Sequence, residues 1–160
     1  MADNPLPDGR DEPGVRIPPP LIFTSFLLAG LWFDSPWFTG EMTAAWQMGA
    51  GGIWAGLWLG LIIVCFLDHL ASGTNVEPWR PTTKVIQSGP YAWSRNPIYL
   101  GMAGFCEGIA LMGASWGALI AVIPAMLVIH FHIIKKEERY LAAKFGDEYL
   151  DYKARVRPWL

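Results

Sequence analysis

The sequence predicts an all-α, polytopic membrane protein with about four transmembrane helices and a cytoplasmic C-terminal helical segment. Three observations carry this. The 160 residues are 52% hydrophobic and 14% aromatic, with nine Trp, and only 16% are charged, a balance unlike that of an ordinary soluble domain. The apolar residues are gathered into blocks at about 17–33, 44–67, 98–114 and 117–134, and a helix of about 20 apolar residues crosses the roughly 30 Å hydrocarbon core. All twelve Lys and Arg then fall on one side, in the termini and the 68–97 connection, while the opposite links carry only Asp34 and Glu41. Basic loops stay inside, so both termini and the long connection are expected in the cytoplasm. Trp32, Trp37, Trp46 and Trp116 would lie near the outer interface and Trp93 near the inner one.

Taken in order, residues 1–20 hold six prolines and few large apolar side chains. Residues 1–16 are expected as a disordered lead-in and 17–160 as the membrane domain. No apolar h-region marks a signal peptide there. The second span carries Gly52, Gly56 and Gly60 on one helical face and the third carries Gly104 and Gly108, small residues that let helices approach closely in lipid. Spans three and four meet at Gly113-Ala114-Ser115 as a tight hairpin. The 68–97 connection is broken by Gly73, Pro78, Pro81, Gly89, Pro90 and Pro97. Its Val76, Trp79, Val85, Ile86, Tyr91 and Trp93 argue for a folded, functional segment. Beyond the last span Leu141, Phe145, Tyr149 and Tyr152 mark an amphipathic segment, with Gly146 as a break.

The stretch GPYAWSRNPIYLG, residues 89–101, concentrates recognition chemistry at one helix mouth. Asn96 is expected to cap the third span and Pro97 to occupy its first position. That N-terminus, with Arg95 beside it, suits a carboxylate or phosphate. Interfacial anchoring by Arg95, Tyr91, Trp93 and Tyr99 explains the same residues equally well. Glu137 and Glu138, just past the fourth span, read either as a solvated helix start or as acceptors for a ligand's hydroxyls or amine. Glu107 is an intramembrane acid and so a functional candidate. His130 and His132 are two apart and face different sides of a helix, and no Cys/His cluster supports a metal site. Cys65 and Cys106 read as buried thiols rather than a disulfide. No nucleic-acid patch, P-loop, G-x-S-x-G or H-E-x-x-H signature is present.

The segment GTNVEPWRPTTKVIQSGPYAWSRNPIYLGM, followed across the hairpin by EERYLAAKFGDEYLDYKARVRPW, resembles the integral-membrane isoprenylcysteine carboxyl methyltransferases and the related phospholipid N-methyltransferases. The shared pattern is G-x-Y, R-H-P-x-Y, E-E-x-x-L and F-G-x-E-Y with a basic C-terminus, over about residues 73–159. The resemblance implies S-adenosylmethionine as cofactor and S-adenosylhomocysteine as product, with a cofactor region over 73–160. It implies that Thr83, Lys84, Val85, Ile86, Tyr91, Asn96, Pro97, Ile98, Tyr99, Glu137 and Glu138 line the pocket. Arg95 would bind a cofactor carboxylate or substrate anion, and Glu107 or a histidine would take the proton of an amine acceptor. The partners implied are the bilayer and an amphiphilic, prenylcysteine-like or lipid acceptor. Two departures stand out: Asn96 replaces the family's His, removing a base, and Ile133 and Ile134 lie where the eukaryotic carboxyl methyltransferases carry a substrate-facing Arg. The reading from another class is a non-catalytic membrane protein of the same fold that binds a lipid, a partner protein or a haem through His130 or His132.

Overall fold

The computed structural model describes residues 11–34 and 45–160. Residues 1–10 of the expected lead-in, with Arg10, and the expected outer link with Trp37 and Glu41 lie outside the described residues. Helix α1 spans Pro19–Phe33, α2 Ala45–Ser72, α3 Pro97–Met112 and α4 Trp116–Ile129. A π-helical turn, His130–Ile134, joins α4 to α5, Lys135–Phe145, and α6 covers Asp147–Arg155. A short 3₁₀ turn lies at Gly89–Ala92. Among the described residues two helices are long and apolar enough to cross a membrane, α2 and the continuous run Trp116–Phe145; α1 and α3 are shorter apolar helices. In the second run the apolar sequence ends at Ile134, and the charged turn from Lys135 lies beyond it.

The breaks arise where the local chemistry places them. Pro19 and Pro97 stand in the first turns of α1 and α3, where a missing N–H costs nothing. The α3–α4 turn closes with Ala114 at φ 50° and with the Ser115 hydroxyl accepting from the Ala118 N–H at 3.0 Å. Asp34, at the end of α1, takes the Ser115 hydroxyl at 3.3 Å and also accepts from the Gly117 N–H. Gly146, at φ 54°, separates α5 from α6, a left-handed position that glycine adopts without strain.

α3 is the centre of the bundle. α2 packs along one side of it, while α1 and α4 pack together on the other. Among the described residues α1 and α2 have at most a marginal contact with one another. The α2–α3 contact is close because α3 is smooth there. A methyl at Gly104 would run into the Trp58 ring, one at Gly101 would sit 2.6 Å from Ile62, and one at Gly108 would meet the Ala55 backbone. Gly104 and Gly108 therefore pack as expected, but Gly52, Gly56 and Gly60 do not, since methyls there would have nothing within 4 Å. The strip of α2 that meets α3 is Gly51, Ala55, Trp58 and Ile62. The large side chains decide this, because Trp58 and Ile62 fill the depressions that the α3 glycines leave.

From Asp11 onward the proline-rich lead-in differs from a disordered tail. Val15 is buried in the main core with Phe23, Tyr99 and Ile133. Asp11 accepts from the Tyr140 hydroxyl at 2.8 Å and pairs with Lys144. Prolines keep this segment extended, and one apolar side chain with one acid suffices to lay it across the charged end of the bundle. A second small core joins the long connection to the C-terminal segment: Val85, Tyr149 and Tyr152, flanked by Leu141 and Phe145.

Candidate active site

The first turn of α3 faces a cavity of about 310 Å³ at the charged end of the bundle. Ile62, Phe66 and His69 from the end of α2 form one wall, and Lys84, Val85 and Ile86 from the long connection form another. Ile98, Tyr99 and Met102 of α3 lie beneath it, with Glu137, Glu138 and Tyr140 of α5 and Tyr149 and Tyr152 of α6 opposite. Pro13, Pro19 and Pro20 close the remaining side.

Two adjacent carboxylates occupy contrasting surroundings. Glu137 accepts a hydrogen bond from the buried Tyr99 hydroxyl at 2.9 Å. Burial pushes Glu137 up to about 7; the Tyr99 bond opposes this and the neighbouring Glu138 charge adds to it. Burial acts on Glu138 too, but hydrogen bonds from Lys153 and Arg95 outweigh it and hold its carboxyl below the usual value. Lys153 Nζ lies 2.8 Å from Glu138, and Arg95 Nη2 pairs with its other oxygen. Arg95 Nη1 donates to the carbonyls of Lys153, at 2.9 Å, and Val156. Arg95 Nη1 thus fastens the C-terminal segment and Nη2 holds the Glu138 carboxylate of α5. Its Nε is buried and has no partner among the described residues.

Of the residues singled out in the sequence, Lys84, Val85, Ile86, Tyr91, Arg95, Asn96, Ile98, Tyr99, Glu137 and Glu138 line the cavity. Thr83 does not. Its hydroxyl donates to the Gly73 carbonyl at 3.1 Å, and its N–H donates to the Thr74 hydroxyl at 3.0 Å, so it stitches the connection together. Pro97 is buried at the head of α3. Glu107 lies ten residues further along α3, about 15 Å up the axis, where it accepts from the Trp54 indole at 3.3 Å. It is outside the cavity. His130 packs against Phe131 and Trp159, also outside it.

Asn96 precedes α3 but does not cap it. Its amide donates to the Pro158 carbonyl at 2.8 Å, because the C-terminal strand-like segment runs beside it, bridged at Ser94–Arg157. The first helical bond runs from Leu100 N–H to the Asn96 carbonyl, and among the described residues no side chain caps the Ile98 and Tyr99 N–H groups at the cavity wall. His69, Tyr149 and Tyr152 were not apparent as site residues in the sequence. For His69 a signal existed: Ile62, Phe66 and His69 follow an i, i+4, i+7 spacing on one face of α2.

The donor set suits S-adenosylmethionine. Uncapped N–H groups and the orphaned Arg95 Nε suit its carboxylate, Glu137 its ammonium, and the Val85, Leu141 and Tyr149 surfaces an adenine.

This arrangement is a helical chain with two candidate membrane spans among its described residues and a cavity at the charged end of its bundle. Residues 45–148 match the phospholipid methyltransferase family, and the chain belongs to it. The family consists of S-adenosylmethionine-dependent membrane methyltransferases. The chain is 33% identical over 72 residues to the protein-S-isoprenylcysteine O-methyltransferase of Saccharomyces cerevisiae, covering 45% of this chain and 30% of that protein. Against the Mus musculus protein of the same description it is 36% identical over 77 residues, 47% of this chain and 26% of the relative. An uncharacterized protein of Haemophilus influenzae is 54% identical over 43 residues, 27% of this chain and 68% of that one. The chain thus spans under a third of the length of the methyltransferases it matches. No solved structure matches it.

Proposed function

We propose that this chain transfers a methyl group from S-adenosylmethionine to an amphiphile at the cytoplasmic leaflet. The observation that carries the reading is the Tyr99–Glu137 pair at a cavity lined by the first turn of α3. Glu137 binds the cofactor's ammonium, the Ile98 and Tyr99 N–H groups with Arg95 Nε bind its carboxylate, and the cofactor supplies an electrophilic methyl on sulfur. α1, α2, α3 and the Trp116–Ile134 run form four spans with both termini inside. Trp32, Trp46 and Trp116, exposed at one end, and Trp93, exposed at the other, fit two interfacial belts. The acceptor's hydrocarbon enters between α1 and α2, over Ile62, Phe66 and Met102. Alignment in a water-poor cavity supplies the rate gain.

Calorimetric titration of S-adenosylhomocysteine into detergent-purified protein tests this. Micromolar binding, weakened at least tenfold by Glu137→Gln, is the expected result. A folded protein that takes up no S-adenosylhomocysteine overturns the reading.

A further inference from the structure

We propose that residues 11–13, turning on Gly14, form a flap over the cavity, the door by which S-adenosylmethionine enters from water and S-adenosylhomocysteine leaves. This rests on the methyltransferase reading above and adds to it a route and the residues that gate it. Pro13 lines the cavity, as do Pro19 and Pro20 at the head of α1, so the lead-in supplies one wall. Among the described residues no backbone-to-backbone hydrogen bond joins 11–17 to the rest of the chain, and side chains hold the segment instead. The wall made by the long connection is fixed differently. Its Thr82 and Thr83 N–H groups donate to the Tyr140 and Thr74 hydroxyls, and its Val85 is buried with Tyr149 and Tyr152.

The segment divides into an anchor, a hinge and a latch. Val15 is the anchor, 4% exposed in the main core with Phe23, Tyr99 and Ile133. Gly14 is the hinge. It stands at φ 69°, between cavity-lining Pro13 and buried Val15, and a methyl there would meet nothing within 4 Å. The glycine is therefore needed for its left-handed backbone and not for lack of space, and space is what a hinge requires. Asp11 is the latch. It accepts from the Tyr140 hydroxyl at 2.8 Å and pairs with Lys144, whose Nζ lies 3.0 Å from the same hydroxyl. Tyr140 lines the cavity, is 2% exposed and also takes the Thr82 N–H at 3.1 Å. One hydroxyl, donating once and accepting twice, thus joins the flap to two other walls.

The two holds differ in strength as a door demands. Val15 fixes the base of the flap in the core, while the Asp11 carboxylate is half exposed, and an ion pair that water can reach is weak. The latch therefore opens without disturbing the bundle. Pro13 before the hinge and Pro18, Pro19 and Pro20 beyond the anchor fix φ, so the motion concentrates at Gly14. The cofactor's chemistry selects this side. Its ammonium and carboxylate lose too much hydration to pass through hydrocarbon, so the opening between α1 and α2 suits the acceptor's tail and not the cofactor. When the flap is shut, Asp11 and Lys144 neutralise one another and leave no net charge above the site. Closure also keeps water from the methyl donor during transfer.

The test measures S-adenosylhomocysteine association and dissociation by surface plasmon resonance on the full chain in lipid nanodiscs. Asp11→Ala should raise both rate constants together by about threefold to fivefold, the scale of a weak exposed pair, while Kd stays within about twofold. Lys144→Ala should do the same, and the double variant should add nothing, since both act on one latch. Gly14→Ala, which strains the left-handed hinge of the closed flap, should also raise both. The converse variant is locked. Asp11→Cys with Lys144→Cys, joined by a short reducible bis-maleimide, should slow both rates at least about tenfold, and reduction should restore them. Cys65 and Cys106 are buried and should not react. Asp11→Ala and linked proteins that keep wild-type rates overturn the flap. So does an Asp11→Ala protein in which dissociation alone quickens, since that marks a ligand contact and not a door. Either result leaves the methyltransferase reading standing, because the ligand still binds. Wild type that binds no S-adenosylhomocysteine removes both.

Discussion

The α2–α3 contact and the charged cap are built from opposite materials. Along α2 and α3 the chain is held together where side chains are missing: Gly101, Gly104 and Gly108 let Ile62, Trp58 and Ala55 come up to the α3 backbone. At the cap one guanidinium gathers Glu138 and two carbonyls from the C-terminal segment, and the Tyr140 hydroxyl accepts from Thr82 N–H at 3.1 Å while donating to Asp11. The difference follows from the surroundings. Lipid tails are as apolar as leucine, so helices in the bilayer gain from close fit more than from burial. In the partly buried cap, charged groups lose water and must replace it with named partners.

The largest effect should come from the cap. Arg95→Ala leaves Glu138 with Lys153 alone and frees two carbonyls. It should cost about 3–5 kcal/mol, as for one partner of a buried pair, and raise hydrogen exchange across residues 147–160. If thermal melts and exchange are unchanged, the cap is held by its small apolar core instead. Next comes the helix contact. Gly104→Val should cost about 1–3 kcal/mol through overpacking against Trp58, whereas Gly56→Val, in open space, should stay within about 0.5 kcal/mol. Equal losses in a detergent-unfolding assay would mean that the Gly52–Gly60 strip is also packed.

A third effect concerns pH. Folded Glu137 titrates near 7 against an ordinary 4.5, so between those values the folded chain holds the extra proton and stability should fall as pH rises. Ligand binding should run the other way. An ammonium needs the ionised carboxylate, so S-adenosylhomocysteine affinity should drop about tenfold per unit below pH 7 and level off above it. Glu137→Gln should flatten both curves, which calorimetry and melts across pH 5–8 would reveal. Glu138, held low by its cations, loses its contribution only as pH falls below the ordinary range. The smallest effect should be Lys144→Ala, which cuts a half-exposed pair with Asp11 and should cost under about 1 kcal/mol. A larger loss would show that the lead-in clamps the cap.

Much of this was legible along the chain, and the limits have a physical pattern. Pro97 at the start of α3, the turn at Gly113–Ser115 and the break at Gly146 are set by φ restrictions and missing N–H groups within a few residues, so the sequence alone determined them. The apolar blocks likewise determined the helices, and the linked motifs the family. What lay beyond it are contacts over long separations. Asn96 looked like a cap, but Pro158 runs close enough to take its amide; Arg95 looked free, but Lys153, Val156 and Glu138 converge on it. Three glycines four apart mark a smooth strip, yet which strip of α2 meets α3 depended on where Trp58 and Ile62 found room. His69 offered only a spacing until the fold set Tyr91 against it. Helix starts and ends have short-range causes; the partner of a side chain is decided by packing, and only the tertiary structure fixes that.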